Sequence, residues 1–131
     1  MKESPKTFFA PELIIKSGVM ELDFYKKAFG AVELRRFSND DGSIHVSEMS
    51  IDGALFHFHE ERPAKGNLTP EQAGGVTTII GLMVPDVDAV MATALAAGAR
   101  VTSPAQDYDY GYRQGSVVDP FGHHWQIEMV I

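Results

Sequence analysis

The end of the chain carries the clearest pattern. From His123 onward the residues alternate, with His123, Trp125, Ile127, Met129 and Ile131 on one face and His124, Gln126, Glu128 and Val130 on the other. A period of two is that of a β-strand. The run therefore predicts a terminal strand with Trp125, Ile127 and Met129 toward a core and Gln126 and Glu128 pointing away from it. A shorter apolar run, Ser116 to Val118, precedes it across Asp119-Pro120-Phe121-Gly122. Proline fixes its own φ and glycine supplies a positive one, so this tetrapeptide reads as a turn.

Earlier in the chain, Leu13 to Lys16 is a short β-run. Leu22, Tyr25, Ala28 and Phe29 then share one helical face, with Ser17 or Gly18 available to cap the start and Gly30 to close the end. Strands are expected at Val32–Phe37, Ser43–Ile51 and Ala54–His59, the last two joined through Asp52-Gly53, a strong hairpin signal. Alternation sends Phe56 and Phe58 toward the helix and Leu55, His57 and His59 to the opposite side. Glu60 to Gly75, rich in turn residues and without a periodic apolar face, reads as a mobile linker. The plan then recurs. Val76–Val84 is a strand, and Asp86 caps a helix whose Val87, Val90, Met91, Ala94 and Leu95 form one stripe closed by Gly98. Ala99–Ser103 is a further strand and Pro104–Tyr110 a loop.

Gly98 follows Gly30 by 68 positions, and Gly122 follows Gly53 by 69. That near-constant offset indicates an internal duplication of a β-α-β-β-β unit. Each helix has one apolar stripe and covers one sheet face. The other face is left to form a concave wall. The expected fold class is α+β, with two βαβββ modules forming curved mixed sheets around a shared cavity. Residues 1–131 make one domain, with module 1 at about 8–61, the linker at about 62–75 and module 2 at about 76–131.

Composition narrows the function classes. The chain of 131 residues has no cysteine, which excludes disulfides, thiolate nucleophiles and Cys-ligated zinc. Eleven basic residues against 18 acidic ones give a formal charge of −7, and the Lys and Arg residues are scattered. Nucleic acid and anionic membrane are therefore not expected partners. No window reaches transmembrane length and the first residues hold no apolar signal segment, so a cytoplasmic location is expected.

Three stretches carry a family resemblance. Gly111-Tyr112-Arg113 followed by Val117-Val118-Asp119-Pro120-Phe121-Gly122-His123-His124-Trp125 resembles the C-terminal signature of the glyoxalase/bleomycin-resistance/dioxygenase (vicinal oxygen chelate) superfamily, nearest to its PhnB-like branch. Leu22 to Ala31 and Val84 to Ala89 match the starts of the two helices of that family. The resemblance implies the same two-module fold, a homodimer and a small-molecule ligand. In metal-dependent members it implies two His and two carboxylates around a divalent cation. Carried over by position, those four places fall on Ala10, His57, Ile79 and Gln126. Only His57 is a good ligand, so no metal cofactor is expected. A substitute set drawn from Glu12, His45, His57 and Glu128, with Glu12, His57 and Glu128 as its core, would need strands to drift by about 6.5–7 Å per two residues.

The resemblance thus implies a small-molecule binder without the family metal. The alternative is a metal-dependent lyase, isomerase or dioxygenase with a shifted ligand set. Candidate ligand-binding residues are His45, His57, Tyr110, Arg113, Gln126 and Glu128. Arg113 is read either as a rim cation for a carboxylate or phosphonate or as an ion-pair partner of Asp107, Asp109 or Asp119. Tyr108, Tyr110 and Tyr112 form an amphipathic aromatic patch suited to a pocket wall or a dimer contact. His45 and Glu48 are expected on opposite faces. His123 and His124 are read as solvent-facing histidines at the end of the turn.

Overall fold

The computed structural model describes residues 6–131; Met1 to Pro5, at the head of the segment read as lacking a signal, lie outside the described residues. Module 1 runs β1 (Glu12–Ile15), α1 (Asp23–Phe29), β2 (Val32–Ser38), β3 (Ile44–Ile51) and β4 (Ala54–Glu60). Module 2 repeats it as β5 (Ile79–Met83), α3 (Val87–Ala97), β6 (Arg100–Tyr108), β7 (Tyr112–Val118) and β8 (His124–Val130). The sheet orders, β1-β4-β3-β2 and β5-β8-β7-β6, are identical in plan. In each, the first strand lies parallel to the last and the rest are antiparallel. The duplication legible in the glycine spacing is therefore real at the level of topology.

Alternation sorts the sheet faces as expected. Phe56, Phe58, Trp125 and Ile127 are buried under the helices, and α1 packs on α3. Gly30 and Gly98 both close their helices in the left-handed conformation. The Asp52-Gly53 hairpin has positive φ at both residues, 49° and 86°. That conformation matches the right-handed twist of the flanking strands.

One buried carboxylate joins the modules. Asp119 Oδ2 accepts from the Tyr25 hydroxyl at 2.6 Å and from Trp125 Nε1 at 3.0 Å. Its Oδ1 accepts from the backbone N–H groups of Phe121 and His123. The turn of module 2 is thus tied to α1 of module 1. Trp125 lies against Phe29, Tyr25 and Phe56, with ring centroids 4.7, 6.1 and 5.8 Å away. Burial and the adjacent Asp119 charge raise the Tyr25 pKa well above its usual range.

Several expectations are corrected. α1 starts at Asp23, well beyond Ser17 and Gly18, and Glu21 rather than a capping hydroxyl accepts from its first N–H. Leu95 is exposed because the buried stripe of α3 narrows to Val87, Met91 and Ala94. Pro104 lies inside β6, not in a loop; β6 is an edge strand with register irregularities there, where a missing N–H is tolerated. The stretch read as a featureless linker holds a short 3₁₀ turn, Pro63–Lys65, and a helical turn α2 (Pro70–Ala73). Thr69 and Gln72 form a reciprocal capping box around Pro70, a start signal hidden among turn residues. His123 is not in solvent, since its Nε2 donates to the carbonyl of Ile14 at 2.8 Å, on the free edge of β1.

Candidate functional site

The face of each sheet away from the helices is open. On sheet 1 a polar row crosses it, with Glu12 beside His57, Glu48 opposite His57, and Arg35 bonded to Glu48 at 3.1 Å. His45 Nδ1 donates to Glu60 Oε1 at 2.8 Å, and Asn39 donates to the other oxygen. Because the carboxylate can only accept, Nδ1 of His45 carries the proton in that bond. His45 also meets His59 edge to face, with centroids 4.9 Å apart. His59 and Glu48 share the face of His57, so His45 and Glu48 do line the same side. The reason is an extra residue in β3, since Phe37 pairs with Val46 but Ser38 with Ile44, and the alternation slips by one at His45.

On sheet 2 the open face carries Gln126, Glu128, Gln114 and Tyr110. Glu128 Oε1 accepts from Gln114 Nε2 at 2.7 Å and from Gln126 Nε2 at 2.9 Å. The Tyr110 hydroxyl donates to Gln114 Oε1, which turns the amide nitrogen toward Glu128. Tyr108 stacks on Tyr110 and Tyr110 meets Tyr112. Glu128 Oε2 lies over Gly81, so close that a Cβ there would stand 2.7 Å from it. Gly81 and Gln114 escaped the sequence reading. An isolated glycine within Ile-Ile-Gly-Leu-Met was the available signal, because such a glycine marks a close approach.

Arg113 is not a rim cation. Odd positions of β7 face the helices, and Arg113 grips Asp88 of α3 through two nitrogens at 2.8 and 3.0 Å and Asp107 at 2.9 Å. These bonds hold Asp88 below the usual carboxylate range and raise the guanidinium further above its own. The ion-pair reading was the right one, with Asp88 as the partner that no sequence spacing announced.

The space shared by the modules lies along their seam. A pocket of about 490 Å³ is walled by Ile51, Leu55, Phe56, Ile80, Leu82 and Trp125, with Phe8, Phe9 and Gly81 also in its lining. A second, of about 310 Å³, lies between β1 and the segment around Thr69–Thr78.

The four-ligand metal set of the resemblance does not fit these residues. Glu12 and His57 are neighbours, but Glu128 belongs to the other sheet and its Oε1 is taken by two amides. Among the described residues no group of three or more His, Asp or Glu side chains gathers as a metal site.

This fold, with its duplicated modules, defines the class. Residues 20–127 match the Glyoxalase/Bleomycin resistance protein/Dioxygenase superfamily, and the chain belongs to it. Among relatives, the uncharacterized protein Mb0911c of Mycobacterium bovis is 39% identical over 121 residues, covering 90% of this chain and 80% of that protein. The X-ray structure of the Arabidopsis thaliana gene product At5g48480 superposes with a TM-score of 0.70 at 26% identity, over 94% of this chain and 98% of that one. TioX from Micromonospora sp. ML1 superposes at 0.71 and 23% identity, over 95% and 100%, a likeness of fold alone.

Proposed function

We propose that this chain is a small-molecule-binding member of the superfamily, of its PhnB-like branch, that works without the family's divalent metal and as a homodimer. The observation that carries the reading is the seam pocket. Its volume of about 490 Å³ falls in the range of small-molecule sites, and its lining is almost wholly apolar and aromatic. Donor chemistry supports the metal-free part, since two of the four family positions hold Ala10 and Ile79. Large apolar side chains exposed on the strands, Val32, Phe37, Ile79, Met83 and Val130, together with uncovered sheet edges, support a second copy. Among the described residues no helix is long and apolar enough to cross a membrane.

The test is a titration of isotope-labelled protein with fragments of anionic, neutral and cationic character, followed by amide shifts. Shifts centred on Leu55, Ile80, Gly81 and Leu82 are expected. A set that perturbs only residues remote from the seam, or none at all, contradicts the reading.

A further inference from the structure

No residue in the lining of the seam pocket carries a charge, a hydroxyl or a side-chain amide. Trp125 alone has a polar side-chain atom, and its Nε1–H is already donated to Asp119 Oδ2 at 3.0 Å. The peptide groups of the lining are polar but bear no net charge. Any molecule seated here meets apolar side chains and neutral backbone.

Polar side chains stand beside this lining in the chain without entering it. Glu12 follows Pro11, Asp52 separates Ile51 from Gly53, His57 follows Phe56, and Gln126 follows Trp125. None of the four lines the pocket. The alternation of β4 and β8 turns His57 and Gln126 to the open face. Phe8 and Phe9 do line it, although they are 69% and 95% exposed. Rings left in water beside an apolar cavity are surface that an apolar ligand covers. Together with Phe56 and Trp125 they favour a flat ligand that packs face or edge against them.

We infer that the ligand of the seam pocket is a neutral aromatic compound, held by its apolar surface and selected against ionised relatives of the same shape. The inference rests on the small-molecule reading of this pocket and names the class of molecule it takes. An ionised group entering the pocket would lose water and gain no partner. Attraction of a cation to an exposed ring such as Phe8 or Phe9 amounts to less than about tenfold. With a formal charge of −7 the chain draws cations from a distance, so discrimination against them is made inside the pocket.

Methylnaphthalene, naphthylmethylammonium and naphthoate share one ring and one attachment position and differ in charge. Each is titrated separately near neutral pH and followed at the Leu55 and Leu82 amides. Methylnaphthalene is expected to bind about tenfold or more tighter than either ion. Ala54 is exposed at the start of β4 and belongs to the lining, so Ala54→Asp places a carboxylate there without touching the core. In that variant naphthylmethylammonium should gain about threefold or more on methylnaphthalene, and naphthoate should fall further behind. An ion that binds the native protein at these amides as tightly as methylnaphthalene overturns the neutral class while leaving a small-molecule pocket in place. So does a ranking unchanged in Ala54→Asp, because escape of the probes from water, and not the lack of charge in the pocket, would then explain it. Failure of methylnaphthalene beside another fragment that does shift the seam amides overturns this inference alone. Binding of none of the three, with no shifts at the seam in the wider fragment titration, overturns both readings.

Discussion

Removing the Asp119 carboxylate should be among the most damaging single changes available in this chain. Four donors converge on it, and it is only 4% exposed. A hydrogen bond to a charged group contributes about 1.5–3 kcal/mol, but bonds that share one carboxylate do not add. Asp119→Ala leaves the Tyr25 hydroxyl and the Trp125 N–H without partners in surroundings where both residues are almost fully buried. Orphaning such groups puts the expected loss at about 3–5 kcal/mol, a large share of the stability of an ordinary domain. Tyr25→Phe removes one of the four bonds and spares the rest, so it should cost about 1–3 kcal/mol. Urea unfolding followed by the fluorescence of Trp125, the only tryptophan, reads both variants at a fixed protein concentration. With a slope of about 2 kcal/mol per M, Asp119→Ala should lower the midpoint by about 2 M. A loss below about 1 kcal/mol, or one no larger than that of Tyr25→Phe, would refute the claim that this carboxylate ties the modules together.

Tyr25 also makes stability depend on alkaline pH. Its folded pKa is raised, so the unfolded chain gives up the phenolic proton first, near pH 10. The contribution is therefore complete below that pH and lost as pH rises through the folded value; urea midpoints of the native protein should fall above about pH 10 more steeply than those of Tyr25→Phe, and equal slopes contradict it. Gly115→Ala places a Cβ 2.7 Å from Met91 Cε and 3.2 Å from the Ala105 nitrogen. The methionine tip can yield but the backbone resists, so thermal unfolding should show a loss of about 1–3 kcal/mol. Sedimentation at micromolar concentration should report a species of twice 14.4 kDa, and only the 14.4 kDa species would count against the dimer.

Periodicity made the sheets and their faces legible, because a period of two assigns every side chain once the core face is known. Trp125, Ile127, Phe56 and Phe58 went where alternation sent them. It failed at His45, where one extra residue in β3 slips the register, an event that leaves no mark in composition. The site was half legible for a related reason. Gln126 and Glu128 could be placed on the open face, whereas the donors that restrain Glu128 depend on which strand lies beside β8. Arg113 shows the same limit, since its principal partner Asp88 is 25 residues away on α3. Pairings of that kind are set by packing, and sequence order does not encode them.

Uptake of metal bears most directly on the account of this protein as a metal-free binder. Purified protein is dialysed to equilibrium against zinc, nickel and manganese in turn, and bound metal is counted per chain. With Ala10 and Ile79 contributing no donor and Glu128 turned to two amides, no stoichiometric tight binding is expected for any of the three. One tightly held equivalent that disappears in His57→Ala would contradict the account and make the metal-dependent enzyme the better reading.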